Sequence, residues 1–262
     1  MKFNMYLKEE PFNKVLEGTK SIEMRLYDEK RSKISIGDTI EFTLNDSDKK
    51  VSVVVLNLYR YDSFKEVYDN FDKVRLGYDG SQECSYTDMD EYYSKDDIKK
   101  YGVVAIEIML LSKVTPAVLT DHNICPTCFN KLNDNVLYGN DEETLFYEDE
   151  LIECFFVGNP RSEGHVAISS RKHYKDMMDI DDELCKYVFV FAKKLMNIIR
   201  EVFESESVYL CTMCDGPMNH FHLQLIPRYK HEKRGSKNFV KDRKEYVFDK
   251  EKFEKVKELL NK

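Results

Sequence analysis

From Asp181 to Glu204 the apolar residues Leu184, Tyr187, Val188, Phe191, Leu195, Ile198 and Val202 recur at three- and four-residue spacing. That period places them on one side of a helix and predicts a long amphipathic helix over 181–204. Around it the pattern shortens. Leu151–Val157 and His165–Ser169 are predicted as neighbouring strands joined by the turn-rich stretch Gly158–Gly164. Val208–Met213 and His220–Ile226 are predicted as two more, with a turn at Asp215-Gly216-Pro217 between them. Pro227 lacks an N–H and is expected to stop the last strand from pairing further. A final helix is predicted over Asp249–Leu260.

The first half follows a different order. Pro11–Glu17 predicts a short helix ended by Gly18. Ser21–Leu26 alternates like a half-buried strand. Gly37-Asp38 marks a turn before a strand at Thr39–Leu44. Val51–Tyr59, rich in Val, predicts a buried strand. Ser63 is placed to cap a helix over Ser63–Asn70, Asp88–Asp97 is expected to be a solvated loop or helix face, and Tyr101–Leu111 is expected to close the unit as a strand.

Composition sharpens this division. The chain has 262 residues, enough for two ordinary domains, and 42% of them are hydrophobic, including 17 Tyr and 16 Phe, which can fill real cores. All six His and six of the seven Cys lie after residue 120. Pro116 and the polar run Thr120-Asp121-His122-Asn123 are read as a short linker, giving domains over 1–112 and 122–262. The overall class is α+β. The net charge of -8 argues against broad, non-specific nucleic-acid binding. With no export signal or membrane-spanning run, a cytoplasmic protein is expected. Seven cysteines spread over a long chain suit reduced thiols or metal ligation better than a disulfide framework.

The chemistry concentrates in His220-Phe221-His222-Leu223-Gln224. Strand alternation puts His220, His222 and Gln224 on one face and leaves Phe221, Leu223 and Leu225 for the core. Proton-handling side chains in a row suit binding a phosphate and attacking it. Cys125-Pro126-Thr127-Cys128 has the spacing of a metal knuckle. Cys211-Thr212-Met213-Cys214 is a second such pair, and a four-Cys site is its rival reading. Alternation along the strand would, however, aim Cys211 and Cys214 at opposite faces.

His-x-His-x-Gln followed by Leu-Ile-Pro-Arg-Tyr resembles the signature of the histidine triad (HIT) superfamily. Tyr147-Glu148-Asp149-Glu150, Gly164-His165-Val166-Ala167-Ile168 and Arg171-Lys172-His173 stand in that family's order, and the resemblance covers Cys125 to Tyr229. It implies an α+β domain with an antiparallel sheet and a long helix. Gln in the third position resembles the branch of galactose-1-phosphate uridylyltransferases and dinucleoside tetraphosphate phosphorylases. By resemblance His222 is the nucleophile toward a nucleotide or dinucleotide substrate, Gln224 binds a phosphate oxygen, and His165 is a supporting active-site group. Asn159 stands near the position of the family's ribose-binding acid. The resemblance also implies a structural zinc held by Cys125, Cys128, His173 and His220, and leaves a homodimer as an open expectation. A zinc-bound nitrogen cannot attack phosphorus, which leaves His222 for that role.

In the first half, Gly18-Thr19-Lys20-Ser21-Ile22-Glu23-Met24-Arg25 resembles the Gly-x-Lys-x-x-Glu-x-Arg signature of ASCH domains. Ile36-Gly37-Asp38-Thr39-Ile40 and Lys100-Tyr101-Gly102-Val103-Val104-Ala105-Ile106 fit the same family. The implied fold is a small β-barrel similar to PUA domains, commonly RNA-binding. Glu23 and Arg25 share a strand face with Lys20 at its entrance. Such a cluster can grip a phosphate or a base edge, or it can be an ion pair that fastens a helix to the barrel. Some relatives are amidohydrolases or nucleases using a Lys at the position of Lys20. Glu23 replaces the Thr of the deacetylating members, and that activity is not carried over.

The expectation is thus a nucleotide-processing enzyme, a nucleotidyl hydrolase or transferase, with an RNA- or nucleotide-binding first domain. The alternative is a non-catalytic nucleotide- or RNA-binding protein whose zinc-stabilised HIT domain has degenerated.

Overall fold

The computed structural model describes residues 1–137, 144–214, 216, 218–234, 242–244 and 248–262. It divides into two compact units, Met1–Leu132 and Asn133–Lys262. Asp215 and Pro217 of the expected turn lie outside the described residues.

The first unit is built on β1 (Lys2–Leu7), β2 (Ile22–Leu26), β3 (Thr39–Leu44), β4 (Lys50–Tyr61) and β5 (Val103–Leu110). Their order in the sheet is β1-β3-β4-β5-β2, with β1 parallel to β3 and the other pairs antiparallel. A register shift between Val55 and Asn57 interrupts β4. Such an irregularity bends a strand and lets a sheet curl into a half-barrel. The long strands are buried on both faces. Val104, Ile106, Ile108 and Leu110 of β5 pack with Met5, Ile40, Phe42 and Val53, whereas Val103 and Ala105 pack with Met24, Phe64 and Val67.

Helices α1 (Glu9–Glu17), α2 (Phe64–Asn70), α3 (Lys73–Leu76), α4 (Lys95–Tyr101), α5 (Pro116–Asp121) and α6 (Pro126–Leu132) complete this unit. Ser63 caps α2 as expected, accepting from Glu66 N–H. The acidic stretch forms a short 3-10 helix at Tyr86–Glu91 and the first turn of α4, each capped by a serine. Tyr101 ends α4 instead of opening β5, because Gly102, at φ +67°, turns the chain between them. The stretch read as a linker folds as α5. Thr115 caps that helix, Pro116 starts it, and Leu119 is fully buried on it.

The second unit is a five-stranded antiparallel sheet in the order β6-β7-β8-β10-β9. Its strands are β6 (Leu145–Glu148), β7 (Ile152–Phe156), β8 (Val166–Ser170), β9 (Ser207–Cys211) and β10 (His222–Arg228). The long helix α7 (Asp182–Val202) is capped by the Asp181 side chain and buries Leu184, Val188, Leu195, Ile198 and Val202, the stripe that the periodicity marks. With α8 (Lys250–Leu260) it closes a core containing Phe156, Ile168, Phe221, Leu223, Leu225 and Phe253. Pro227 does not end β10. The ladder to β8 stops at Leu225, but pairing to β9 continues through Pro227, opposite Val208, to Arg228. The missing N–H costs nothing on a stretch with a neighbour on one side only. Among the described residues no helix is long and apolar enough to cross a membrane.

Candidate functional site

The second sheet sets the stage for the triad segment. His222 stands opposite Ser169 on β8, and Gln224 lies between Ala167 of β8 and Cys211 of β9. Period-two alternation puts these two polar side chains on one face while Leu223 and Leu225 enter the core beneath α7. His220 precedes the ladder and is buried. His165, at the entrance to β8, is 1% exposed, and its carbonyl accepts from Val157 N–H, which extends the pairing with β7.

Hydrogen bonds fix the proton positions of these rings. His222 Nδ1 lies 2.8 Å from the His220 carbonyl. A carbonyl can only accept, so Nδ1 carries the hydrogen and the neutral ring keeps its lone pair on Nε2. That nitrogen faces Gln224 Nε2 at 3.2 Å. His220 Nε2 lies 2.7 Å from the Ser170 carbonyl. By the same logic its hydrogen is on Nε2 and its lone pair on Nδ1, the tautomer that a metal-bound imidazole with a carbonyl partner adopts. Burial, above all, together with the charge of Arg243, holds the His165 ring to a pKa of about 4, against a partial upward push from Gln224. His165 is therefore neutral at physiological pH.

Two thiols, Cys125 and Cys128, and two imidazoles, His173 and His220, make up the set of potential ligands. The His173 and His220 rings meet edge to face at 5.3 Å. This cluster can hold a metal ion. Cys211 and Cys214 do not join it, and no four-Cys group forms among the described residues. Asn159 is exposed in the turn between β7 and β8, with its carbonyl accepting from Arg243 Nη1 at 3.0 Å.

Lys20, Glu23 and Arg25 do come together on the first sheet. Lys20 and Glu23 are buried. Glu23 is ion-paired to Lys20 at 3.4 Å and to Arg25 at 2.7 Å. The Lys20 ammonium also donates to the carbonyls of Ile22 at 2.7 Å and Leu76 at 2.8 Å, tying β2 to the end of α3. Burial lowers the Lys20 pKa, and Glu23 pulls it back up. Gly77 makes room for this side chain: at φ +107°, a Cβ there would lie 3.0 Å from Lys20 Cδ. Arg25 Nη2 reaches across to the Tyr6 carbonyl of β1 at 3.1 Å. The cluster forms one wall of a cavity of about 480 Å3 that also meets Tyr6, Tyr78, Tyr92 and Tyr93. Tyr92-Tyr93 belong to a motif that fits the ASCH family, whereas Tyr6 of β1 and Tyr78 after α3 carried no signal in the sequence.

Residues 5–112 match the family model of the ASCH domain, and residues 139–231 match that of the HIT domain. The chain therefore joins an ASCH domain to a HIT domain. Among curated relatives, an uncharacterized HIT-like protein of Methanocaldococcus jannaschii is 29% identical over 99 residues, covering 36% of this chain and 76% of the relative. The solution structure of a protein from Pyrococcus furiosus is 37% identical, covering 42% of this chain and 98% of its own, with a TM-score of 0.33. A zinc-bound histidine triad family protein from Mycobacterium smegmatis is 17% identical, covering 45% and 83%, with a TM-score of 0.38.

Proposed function

We propose that the HIT domain hydrolyses or transfers nucleotides through a covalent nucleotidyl-His222, and that the ASCH domain binds RNA or a nucleotide. The observation that carries the first part is the His222 tautomer. With Nδ1–H held on the His220 carbonyl, the Nε2 lone pair lies on the polar face of β10 beside the Gln224 amide. A nitrogen so arranged can attack an α-phosphorus. The new N–P bond forms as the P–O bond to the leaving group breaks, and that oxygen departs with the electron pair. Water, phosphate or a sugar phosphate then attacks phosphorus and returns the lone pair to His222.

Gln224 can donate a hydrogen bond to a phosphoryl oxygen but cannot deliver a proton as an imidazolium can. Weakly basic leaving groups, phosphates above all, are favoured over amines. This agrees with the transferase-like third position of the motif. Cys125, Cys128, His173 and His220 would hold a structural zinc, as the resemblance implies, and such an ion would supply folding energy. His165 supports the site from β8, and Asn159 stands at the rim of its turn.

For the ASCH domain the support is the cavity beside Glu23 and Arg25. Lys20 spends its protons on two carbonyls and Glu23, so its role is to hold the carboxylate, while Glu23 and Arg25 offer an acceptor and a donor. With tyrosines around them, these groups suit a stacked base and its polar edge.

A panel of dinucleoside polyphosphates, nucleoside phosphoramidates and nucleotide sugars tests the enzymatic reading. Turnover of at least one, lost in His222→Asn, is expected. Tight nucleotide binding without turnover of any would establish the non-catalytic alternative instead.

A further inference from the structure

A second cavity of the ASCH domain, of about 580 Å3, opens between the ends of β2 and β4, the start of β5 and α4. The proposed function does not use it. Its walls carry Tyr27 just past β2, Arg60 and Tyr61 at the end of β4, and Lys99, Lys100 and Tyr101 in the last turn of α4. The Arg60 guanidinium lies over the Tyr27 ring, 3.8 Å from its centre, and donates to the Tyr27 hydroxyl. The Lys100 ammonium lies 4.6 Å from the centre of the Tyr101 ring. The acids of this cavity are Asp62 and Glu66. Glu66 is engaged at the start of α2, where it accepts from the Ser63 hydroxyl at 3.3 Å and the Asp62 N–H at 3.4 Å. Arg60, Lys99 and Lys100 outnumber the two acids, which makes a locally basic surface on a chain of net charge -8.

The sheet register joins this cavity to the first. Arg25 of β2 stands opposite Val104 of β5, and Arg60 of β4 stands opposite the same Val104 from the other side. Residues paired across a sheet share a face, so Arg25 and Arg60 flank Val104 on one face, about 10 Å apart along the hydrogen-bonding direction. Tyr27 follows Arg25 by two residues, about 7 Å along the chain, and its ring meets Arg60. Glu23, Arg25, Tyr27 and Arg60 thus form one polar row that starts in the first cavity and ends in the second. The step from Arg25 to Tyr27 is comparable to that between successive nucleotides of an extended strand.

We infer that the ligand of the ASCH domain is a segment of single-stranded RNA, with one base in the cavity at Glu23 and Arg25 and the neighbouring nucleotide at a second subsite formed by Tyr27, Arg60 and the end of α4. This deepens, and rests on, the reading of the first cavity as a base site. The second subsite has the chemistry for such a neighbour. A guanidinium stacked on a tyrosine is held flat, and Arg60 is exposed. A base can stack on its outer face with little further ordering of the side chain. The Lys99 and Lys100 ammoniums, with the free N–H groups of a guanidinium, suit the phosphate that links the two nucleotides. Contacts to a base face and a phosphate read no sequence, so the second subsite supplies affinity and the first cavity supplies the choice of base.

The test titrates full-length protein labelled with 15N with the four nucleoside monophosphates and with a mixed-sequence RNA octanucleotide. Only backbone amide signals of the ASCH domain are followed, which keeps binding at the HIT domain out of the reading. The octanucleotide is expected to bind about tenfold or more tightly than any monophosphate. Arg60→Gln and Tyr27→Leu should each weaken the octanucleotide about tenfold and leave the monophosphates unchanged. Tyr27→Phe keeps the ring and should retain most of the affinity, which separates a lost platform from a misfolded domain. Arg60→Gln should also reduce the slope of log Kd against log salt by about 0.7 for the octanucleotide. Equal affinity for the octanucleotide and a monophosphate, or an octanucleotide affinity untouched by Arg60→Gln, would overturn the inference and leave the first cavity as a nucleotide site. ASCH signals that move with neither ligand, or Arg25→Ala without effect on either, would remove the base site itself and the inference with it.

Discussion

The two domains both bury polar side chains on a sheet, but they treat them differently. In the ASCH domain the cluster is charged and largely self-compensating: Glu23 lies between Lys20 and Arg25, and Lys20 also takes the carbonyls of Ile22 and Leu76. In the HIT domain the row is built from imidazoles and an amide, and burial holds His165 unprotonated. His165 accepts from the Arg161 N–H and meets Gln224, and His222 Nε2 faces the Gln224 amide. Buried charges persist only when paired, so the first arrangement holds a wall of the cavity in place. An amide and an unprotonated imidazole carry no charge that must be paired, so the second arrangement would suit the nucleophile proposed at His222.

If that contrast is right, substitutions should separate the domains by kind of effect. The largest loss of stability is expected from Lys20→Ala. It strands the Glu23 carboxylate with Arg25 alone and should cost about 3–5 kcal/mol in urea unfolding. A loss below about 1 kcal/mol would show that the pair is solvated and not structural. Next comes the Cys/His cluster. Cys125→Ser, or a strong chelator, should release one metal ion per chain and lower the melting temperature of the protein. Elemental analysis finding no metal in wild type would remove this site from the account.

A smaller effect is expected from His165 as pH falls. In an unfolded chain this ring takes up a proton near its ordinary value of 6.5, whereas in the folded protein it resists until about 4. Between those values the unfolded state binds more protons, so folding stability should fall as the pH is lowered through that window. The full effect is about 3 kcal/mol, with no slope from this group above it. His165→Phe should lose this component of the acid sensitivity. A urea titration at several pH values checks it, and equal slopes in both proteins would contradict it. The smallest effect is assigned to Arg25→Ala, which should weaken RNA or nucleotide binding by the full-length protein about tenfold. Unchanged affinity would leave the ASCH cavity without a ligand-facing role.

Much of the HIT core and its polar row was legible in the sequence because both rest on local periods. Leu184 to Val202 mark α7 at helical spacing, and His222 and Gln224 share a face by alternation alone. The Cys125, Cys128, His173 and His220 set could be named only through the order of motifs, since nothing local links four such distant residues. Other features left no residue signature. Lys20 is held by the main-chain carbonyls of Ile22 and Leu76, and the His165 tautomer is set by a backbone N–H. β1 was missed because Lys2–Leu7 carries only three inward residues beside a charged start. α5 was taken for a linker because Pro116 and the polar run Thr120-Asp121-His122-Asn123 bracket its short apolar stretch, of which only Leu119 is fully buried. Pro227 misled because the rule about proline in sheets concerns strands paired on both sides, and at that point β10 has one neighbour.

The central claim is that His222 becomes covalently nucleotidylated. Mass spectrometry of protein quenched during turnover of the best panel substrate tests it most directly. The account predicts one added nucleotidyl mass on the peptide containing His222, absent in His222→Asn together with turnover. Full activity in His222→Asn, or an adduct mapped to another residue, would contradict it.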